Sequence, residues 1–210
     1  HALAVTSPPT LDGVADEPMW KRAEAVRWDS DWSGASTGIQ TSVRMAWSPA
    51  APEKAAALHV LFELEGAGLN VDMERPLAVE REKLWSEDCV ELFVAPDRAR
   101  PNRYGEIEVG PAGHWLDLWV DRGAKRSDVR WSSGLRVGTR QDRAAKTATL
   151  ELTVDAPELQ AGLKLGAHLP LGLYRMEGKG KRFYLAWSPT RTPRPDFHVP
   201  SAFGELVLER

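Results

Sequence analysis

The chain has 210 residues, 27% of them charged, and a formal net charge of −3, which is an ordinary composition for a globular protein. This charge balance argues against a general nucleic-acid-binding or anionic-membrane-binding protein, and no apolar run is long enough to cross a bilayer. The length predicts a single domain, residues 1–210, that buries a full hydrophobic core.

The N-terminus is open to two interpretations. The chain begins at His1 rather than at Met, which favours a removed leader and a secreted or periplasmic protein. An N-terminal His binds copper through its amine and imidazole when a further His lies nearby, whereas a leftover tag residue explains the same letter. Cys89 is the only cysteine, so no internal disulfide forms, and a buried, inert thiol is expected.

A short helix is predicted soon after the extended N-terminal residues. Asp16 is a suitable N-cap, and Pro18 belongs in the first turn of a helix that runs to about Ala25. Trp20 lies on the face that this helix turns toward the core.

Most of the remaining chain alternates between apolar and polar residues with a period of two, which is typical of half-buried strands. A long charged loop is expected at residues 66–84, and one helical turn at 157–163. The strands are predicted at residues 41–49, 57–66, 89–94, 104–109, 115–120, 131–137, 148–154, 171–178, 181–189 and 203–209. About nine or ten short strands with frequent turns and one helix predict an all-β protein, an antiparallel β-sandwich or a flattened barrel.

The strand pair at 89–94 and 104–109 is unusual because its second face carries three carboxylates. These belong to Glu91, Glu106 and Glu108, and the tryptophan Trp85 precedes them in a polar setting. Acids beside an aromatic ring indicate a binding site, and nine tryptophans in one domain leave a few for a ligand surface. The alternative is a solvated sheet face with Trp85 as a loop anchor.

Signatures of common enzyme and cofactor classes are missing, and the five histidines are far apart in sequence. Four segments instead resemble, in order, the family 9 carbohydrate-binding module and its DOMON-type relatives. They are LDGVADEPMW, WSEDCVELFVAP, YGEIEVGPAG and AWSPT…PDFHVPSAFGELVL. The resemblance spans nearly the whole chain and implies an antiparallel β-sandwich in which two aromatic rings clamp a terminal sugar while polar side chains bind its hydroxyls.

The resemblance also implies roles for individual residues. Trp85 stands where the family has its first clamp tryptophan, and Glu91 matches a glutamate that binds sugar hydroxyls. Phe197, followed by His198, stands where the best-known members have the second tryptophan. The chain also differs at Glu108, or less plausibly Glu106, where the sugar-binding members carry an arginine. The implied carbohydrate site therefore comprises Trp85, Glu91, Glu106, Glu108, Phe197 and His198.

Some members of the family also bind structural calcium. Asp12, Asp16 and Glu17 are candidate oxygen ligands, although their spacing matches no EF-hand loop and helix capping explains Asp16 equally well.

Two further functions compete with non-catalytic carbohydrate binding. Glu91 with Glu106 or Glu108 on a neighbouring strand has the carboxylate pair that a retaining glycosidase needs at about 5–5.5 Å. DOMON-type relatives also include haem-binding electron-transfer domains that use Met with His or Lys as iron ligands. Here the candidate haem ligands are Met45, Met73, Met176, His59, His114 and His198, and no pair among them stands out.

Overall fold

The computed structural model describes residues 1–210 and consists of thirteen strands, one short helix and three single 3-10 turns. The strands are β1 (Ala2–Ala4), β2 (Val26–Ser30), β3 (Ser36–Ser48), β4 (Ala57–Glu65), β5 (Cys89–Val94), β6 (Arg103–Val109), β7 (Trp115–Asp121), β8 (Arg126–Asp128), β9 (Arg136–Asp142), β10 (Thr147–Val154), β11 (His168–Glu177), β12 (Phe183–Ala186) and β13 (Gly204–Glu209). The helix, α1, spans Pro18–Arg22, and the 3-10 turns span Leu84–Ser86, Pro157–Leu159 and Pro200–Ala202.

The strands form two layers that share one edge. The first layer has the order β1-β3-β4-β10-β9 with β2 beside β3, and the second has the order β8-β7-β6-β5-β11-β13 with β12 beside β11. All pairings are antiparallel except those of β1, which runs parallel to both β13 and β3 and so joins the layers. The predicted all-β antiparallel sandwich is therefore confirmed.

Alternate side chains of both layers meet in the main hydrophobic core. Val90, Leu92 and Val94 from β5 point inward, as their spacing predicts, and pack with residues such as Val60 and Phe62 from β4. These side chains are fully buried or nearly so, and their removal from water is the main favourable term in folding.

A second apolar cluster covers the outer face of the β5-β6-β11 layer. It contains Phe93, Tyr104 and Tyr174, and the segment around Phe197 packs onto it. Phe197 stacks parallel to Tyr174 with ring centroids 4.1 Å apart. The second face of β5 and β6 is therefore buried under loops, which places the three acids in a low-dielectric environment.

The helix α1 is shorter than predicted, and Glu17 rather than Asp16 occupies the N-cap position. Proline restricts the residue before it to extended conformations, so the helix begins at Pro18 and Glu17 stays outside it. The helix ends at Arg22, and Trp20 is buried with its indole N–H donating to Glu151 at 2.9 Å. None of the helical segments has the length and apolar composition of a membrane span.

The strand predicted at 131–137 begins only at Arg136, and β9 then continues to Asp142. Trp131 and Ser133 form no strand ladder, and each donates to a side chain: the Trp131 indole donates to Glu158, and the Ser133 amide donates to Asp117. Strands β1, β2 and β8 were not predicted, and two of the three have only three residues.

Candidate functional site

A cavity of about 190 Å³ lies on the outer face of the second layer, next to the outer apolar cluster. It brings together five of the six predicted site residues, which come from three distant parts of the chain. Nine residues line it: Trp85, Glu91, Glu106, Met176, Tyr184, Pro195, Asp196, Phe197 and His198. Glu108 does not line the cavity but pairs with Glu91 across β5 and β6, directly behind the lining.

Trp85 stands on the 3-10 turn Leu84–Ser86 at the entrance to β5. Leu84 is fully buried and anchors the turn, whereas 49% of Trp85 is exposed. Trp85 is therefore only half-buried, and part of its side chain is open to solvent. An exposed indole beside a cavity offers a flat apolar surface to a ligand.

Arg182 fixes the backbone that carries Trp85. Its guanidinium donates to the carbonyl oxygens of Trp85 at 2.9 Å and Glu87 at 2.6 Å, and to the buried Asp88 carboxylate at 3.1 Å. This positioning residue lies 97 residues from Trp85, in the turn before β12. Nothing in its local sequence distinguishes it from other basic loop residues.

Loss of the Arg182 guanidinium is expected to destabilise the fold, because Asp88 loses its cation and three carbonyl oxygens, including that of Gly178, lose a donor. We predict that Arg182→Met lowers the free energy of unfolding by about 2 kcal/mol, measured by urea denaturation. Arg130 is a matched control because it is highly exposed and pairs only with Asp128. Arg130→Met should change stability by less than about 0.5 kcal/mol, and an equal effect of both substitutions would contradict the role of Arg182.

Aromatic rings from two other segments form the rest of the apolar lining. Phe197 is only 7% exposed because one of its faces lies on Tyr174, so its position as a clamp ring stays a prediction. Tyr184 is half-buried, packs edge-to-face with Phe197 and also lines the cavity. Period-two alternation in KRFYLAWSP, which places Tyr184 opposite the core-facing Leu185, is the sequence signal that identifies it.

His198 closes the cavity near Glu106. Its Nδ1 atom lies 2.8 Å from the Tyr104 hydroxyl and 3.8 Å from Glu106 Oε2, and its ring stacks on Phe93. Burial, assisted by the charge of Arg122, lowers the pKa of His198 below its usual value. The imidazole is therefore neutral at physiological pH and has one donor and one acceptor nitrogen.

The three acids are not a solvated sheet face, since Glu91, Glu106 and Glu108 are each no more than 5% exposed. Burial, with repulsion from Glu108 and then Glu106, raises the pKa of Glu91 well above its usual value. Burial and the neighbouring Glu108 raise the pKa of Glu106 to about 8. Burial raises the pKa of Glu108 to about 7, partly offset by a hydrogen bond from the Trp85 amide. Carboxyl groups of this kind hold protons near neutral pH and can donate as well as accept hydrogen bonds.

Two oxygens of this acid group, Glu106 Oε2 and Glu108 Oε2, have no hydrogen-bond partner within the chain. An unsatisfied buried polar atom costs about 1–3 kcal/mol, so such atoms are usually completed by a ligand, an ion or water. Glu106 lines the cavity, so its carboxyl group lies next to the space that a bound hydroxyl group would occupy.

One set of potential metal ligands converges in the structure, and it does not include the candidate calcium ligands. Cys89, Glu91 and Glu108 have ligand atoms within 4.8 Å of one another. By contrast, Asp12 and Glu17 accept backbone N–H groups from Val14 and Thr10. The residues around Asp16 thus do not fit a calcium site. Binding of structural calcium stays a prediction, and no set of oxygen ligands alone converges to support it. The Cys89 thiol is buried, as predicted.

Comparison with known proteins assigns the chain to a family. The family described as "Carbohydrate family 9 binding domain-like" matches residues 11–210. A crystal structure from Bacteroides uniformis ATCC 8492, of a candidate carbohydrate-binding protein, shares the fold with a TM-score of 0.76 and 19% sequence identity, and the match covers 99% of this chain and 97% of that one. No curated protein gives a significant match. The match over almost the whole chain shows that this protein belongs to the carbohydrate family 9 binding domain-like family.

Proposed function

We propose that the protein binds a terminal sugar, without cleaving it, in the cavity beside Trp85. The observation that carries the proposal is the convergence of an exposed tryptophan, two buried carboxyl groups and a histidine on one cavity of about 190 Å³. The tryptophan suits the apolar face of a sugar ring, and the carboxyl groups and the histidine suit its hydroxyl groups. The family to which the chain belongs is a carbohydrate-binding one.

In this proposal the apolar face of the sugar ring lies on Trp85. A sugar ring exposes axial C–H groups on one face, and contact with an indole removes them from water while the hydroxyl rim stays free. Phe197 and Tyr184, which line the same cavity, supply the second apolar surface. An aromatic clamp of this kind selects for a ring-shaped ligand with an apolar face.

The hydroxyl rim is bound by Glu91, Glu106 and His198, and Glu108 supports Glu91 from behind. The unpartnered Glu106 Oε2 atom gains a partner when a sugar hydroxyl reaches it. Asp196 also lines the cavity and is a further acceptor. Because polar groups on both sides lose water upon binding, we expect affinity well below that of extended protein interfaces.

The size of the cavity favours one terminal sugar unit over the interior of a chain. About 190 Å³ is below the range of roughly 300–1,000 Å³ that is usual for drug-sized ligands and cofactors. The small volume of the cavity also weighs against haem binding. Met176 and His198 both line the cavity, but its volume of about 190 Å³ is below the range usual for a cofactor.

The proposal is tested by isothermal titration calorimetry with glucose, galactose, mannose, xylose and their β-linked disaccharides. We predict saturable binding of at least one of these sugars and a loss of about tenfold or more in affinity in Trp85→Ala, because truncated aromatic hot spots cost about 2 kcal/mol. Leu77→Ala is the control, since Leu77 is 52% exposed on the same long loop but outside the cavity. Equal affinities of the two variants would contradict a role for Trp85.

A glycoside-cleaving enzyme is the second candidate, because ligand atoms of Glu91 and Glu108 lie within 4.8 Å of each other. That is close to the separation of about 5–5.5 Å in retaining glycosidases. Glu108 does not line the cavity, however, so only Glu91 and Glu106 are positioned to reach a ligand. Release of nitrophenol from a panel of aryl glycosides, lost in Glu91→Gln, would favour the enzyme over the binding module.

A further inference from the structure

A thiol and two carboxyl groups converge behind the cavity. Cys89 and Glu91 are two residues apart on β5 and so share a face, and Glu108 is the cross-strand partner of Glu91 on β6. The Sγ atom and one oxygen of each carboxyl group all lie within 4.8 Å of one another. The three side chains are 1%, 4% and 1% exposed.

The charge of Arg182 acts on Cys89, but its guanidinium is bonded elsewhere, to Asp88 and to backbone carbonyl oxygens. Every ion pair of the buried acids Asp88 and Glu177 is formed with an arginine, whereas Glu91 and Glu108 have no Lys or Arg partner at all. The Glu108 Oε2 atom is buried and has no hydrogen-bond partner. A buried oxygen without a partner, next to a thiol and a second carboxyl group, is expected where a ligand belongs.

We propose that Cys89, Glu91 and Glu108 form a binding site for one Zn²⁺ ion. A sulfur ligand favours zinc over calcium and magnesium, which prefer oxygen ligands alone. Metal–ligand bonds of about 2.0–2.3 Å place neighbouring ligand atoms of a tetrahedral zinc ion about 3–4 Å apart, so small rotations of the two glutamate side chains complete the geometry.

Zinc binding releases the thiol proton and any protons on the two carboxyl groups to solvent, and the thiolate and two carboxylates then neutralise the ion and leave one net negative charge. Three protein ligands leave a fourth position, and because Glu91 also lines the cavity, that position is open to water on the cavity side. The metal site goes beyond the proposed sugar binding, since it is present whether or not a sugar binds.

The test uses the full chain after removal of metals with a chelator. Calorimetric titration with Zn²⁺ is expected to show one ion per chain, and Co²⁺ is expected to produce a thiolate-to-cobalt charge-transfer band. Because Cys89 is the only cysteine, that band identifies it without any substitution. Cys89→Ser and Glu108→Gln should each weaken zinc binding roughly tenfold or more. Sugar titrations are run separately, so failure of sugar binding leaves this result intact.

Glu106→Gln is the matched control, because Glu106 is an equally buried acid on the same strand but is not one of the three converging groups. It should bind zinc as the wild type does. Cobalt bound without a thiolate band, or zinc bound equally well by Cys89→Ser, would overturn the proposal. The latter result would instead indicate surface pairs such as His1 with Glu209. Absence of any zinc binding would also overturn it, and loss of binding in Glu106→Gln would refute the assigned ligand set.

Discussion

Arg175→Met is expected to lower the free energy of unfolding by about 3–5 kcal/mol, the largest effect of any single substitution considered. Arg175 is fully buried, and its Nη2 atom donates to Glu177 Oε2 at 2.6 Å. Its Nη1 atom donates to the backbone carbonyls of Gln40 at 2.9 Å and Glu65 at 3.1 Å. The side chain therefore links β11 in the second layer to β3 and β4 in the first.

Most of this loss arises from Glu177, which would be left as a buried acid without its cation. The Arg175→Met/Glu177→Gln double variant should recover part of the stability. The Gly68 amide donates to Glu177 Oε1, and the side-chain oxygen of Gln can accept this hydrogen bond in its place. Urea denaturation provides the measurement. The control is Arg44→Met, because Arg44 and its partner Glu63 are both partly exposed to solvent. A loss below about 1 kcal/mol in Arg175→Met would contradict the linking role.

Acidification is expected to destabilise the protein through His59, which is 1% exposed between β3 and β10. Its ring bonds to the Ser48 hydroxyl at 2.7 Å and to the Thr153 hydroxyl at 2.9 Å. Burial, with a smaller contribution from Arg136 that Asp155 opposes, lowers the pKa of His59 from 6.5 to about 4. The unfolded chain therefore takes up this proton at a higher pH than the folded protein does.

The stability that the neutral His59 contributes is present above pH 6.5 and is lost as the pH falls toward 4. The loss amounts to about 3 kcal/mol, from 1.36 kcal/mol for each pH unit between the two pKa values. Unfolding free energies measured across this range should fall more steeply for the wild type than for His59→Gln, by about that amount. Ser48→Ala, which removes a hydrogen bond but no titrating group, should keep the wild-type slope. Parallel curves for wild type and His59→Gln would contradict this account.

The fold could be predicted from the sequence where strands alternate strictly. Val90, Leu92 and Val94 have a period of two, and they do point into the core. The short strands β1 and β8 could not be predicted in this way, because three residues carry too little pattern. The start of β9 was misplaced because Ser133 bonds to Asp117, and no local pattern predicts that contact.

The candidate site was predictable in part. Of the six residues that the resemblance implies, five line one cavity and the sixth, Glu108, lies behind it. The burial of the acids was not predictable, because it depends on the segment around Phe197, which is far away in sequence. For the same reason Arg182 was missed. A side chain that donates to backbone carbonyls of a turn far away in sequence produces no recognisable sequence motif.

The proposed zinc ligands Cys89, Glu91 and Glu108 could also be predicted only in part from the sequence. Cys89 and Glu91 are visible as a same-face pair in the sequence, but the approach of Glu108 depends on the register between β5 and β6. A shift of one residue in that register would turn Glu108 into the core. The loop of residues 95–102 does not determine this register by a recognisable turn motif, so only the three-dimensional structure brings the three ligand atoms together.

The central claim is that a sugar binds against Trp85, and NMR spectroscopy of the nine indole N–H groups tests it most directly. Selective ¹⁵N labelling of tryptophan followed by titration with the sugar that binds best should shift the Trp85 resonance saturably, while Trp20, which is buried under Glu151 in the other layer, stays unchanged. A sugar that binds but shifts Trp119 or Trp131, at the far side of the second layer, and leaves Trp85 unmoved would contradict the account.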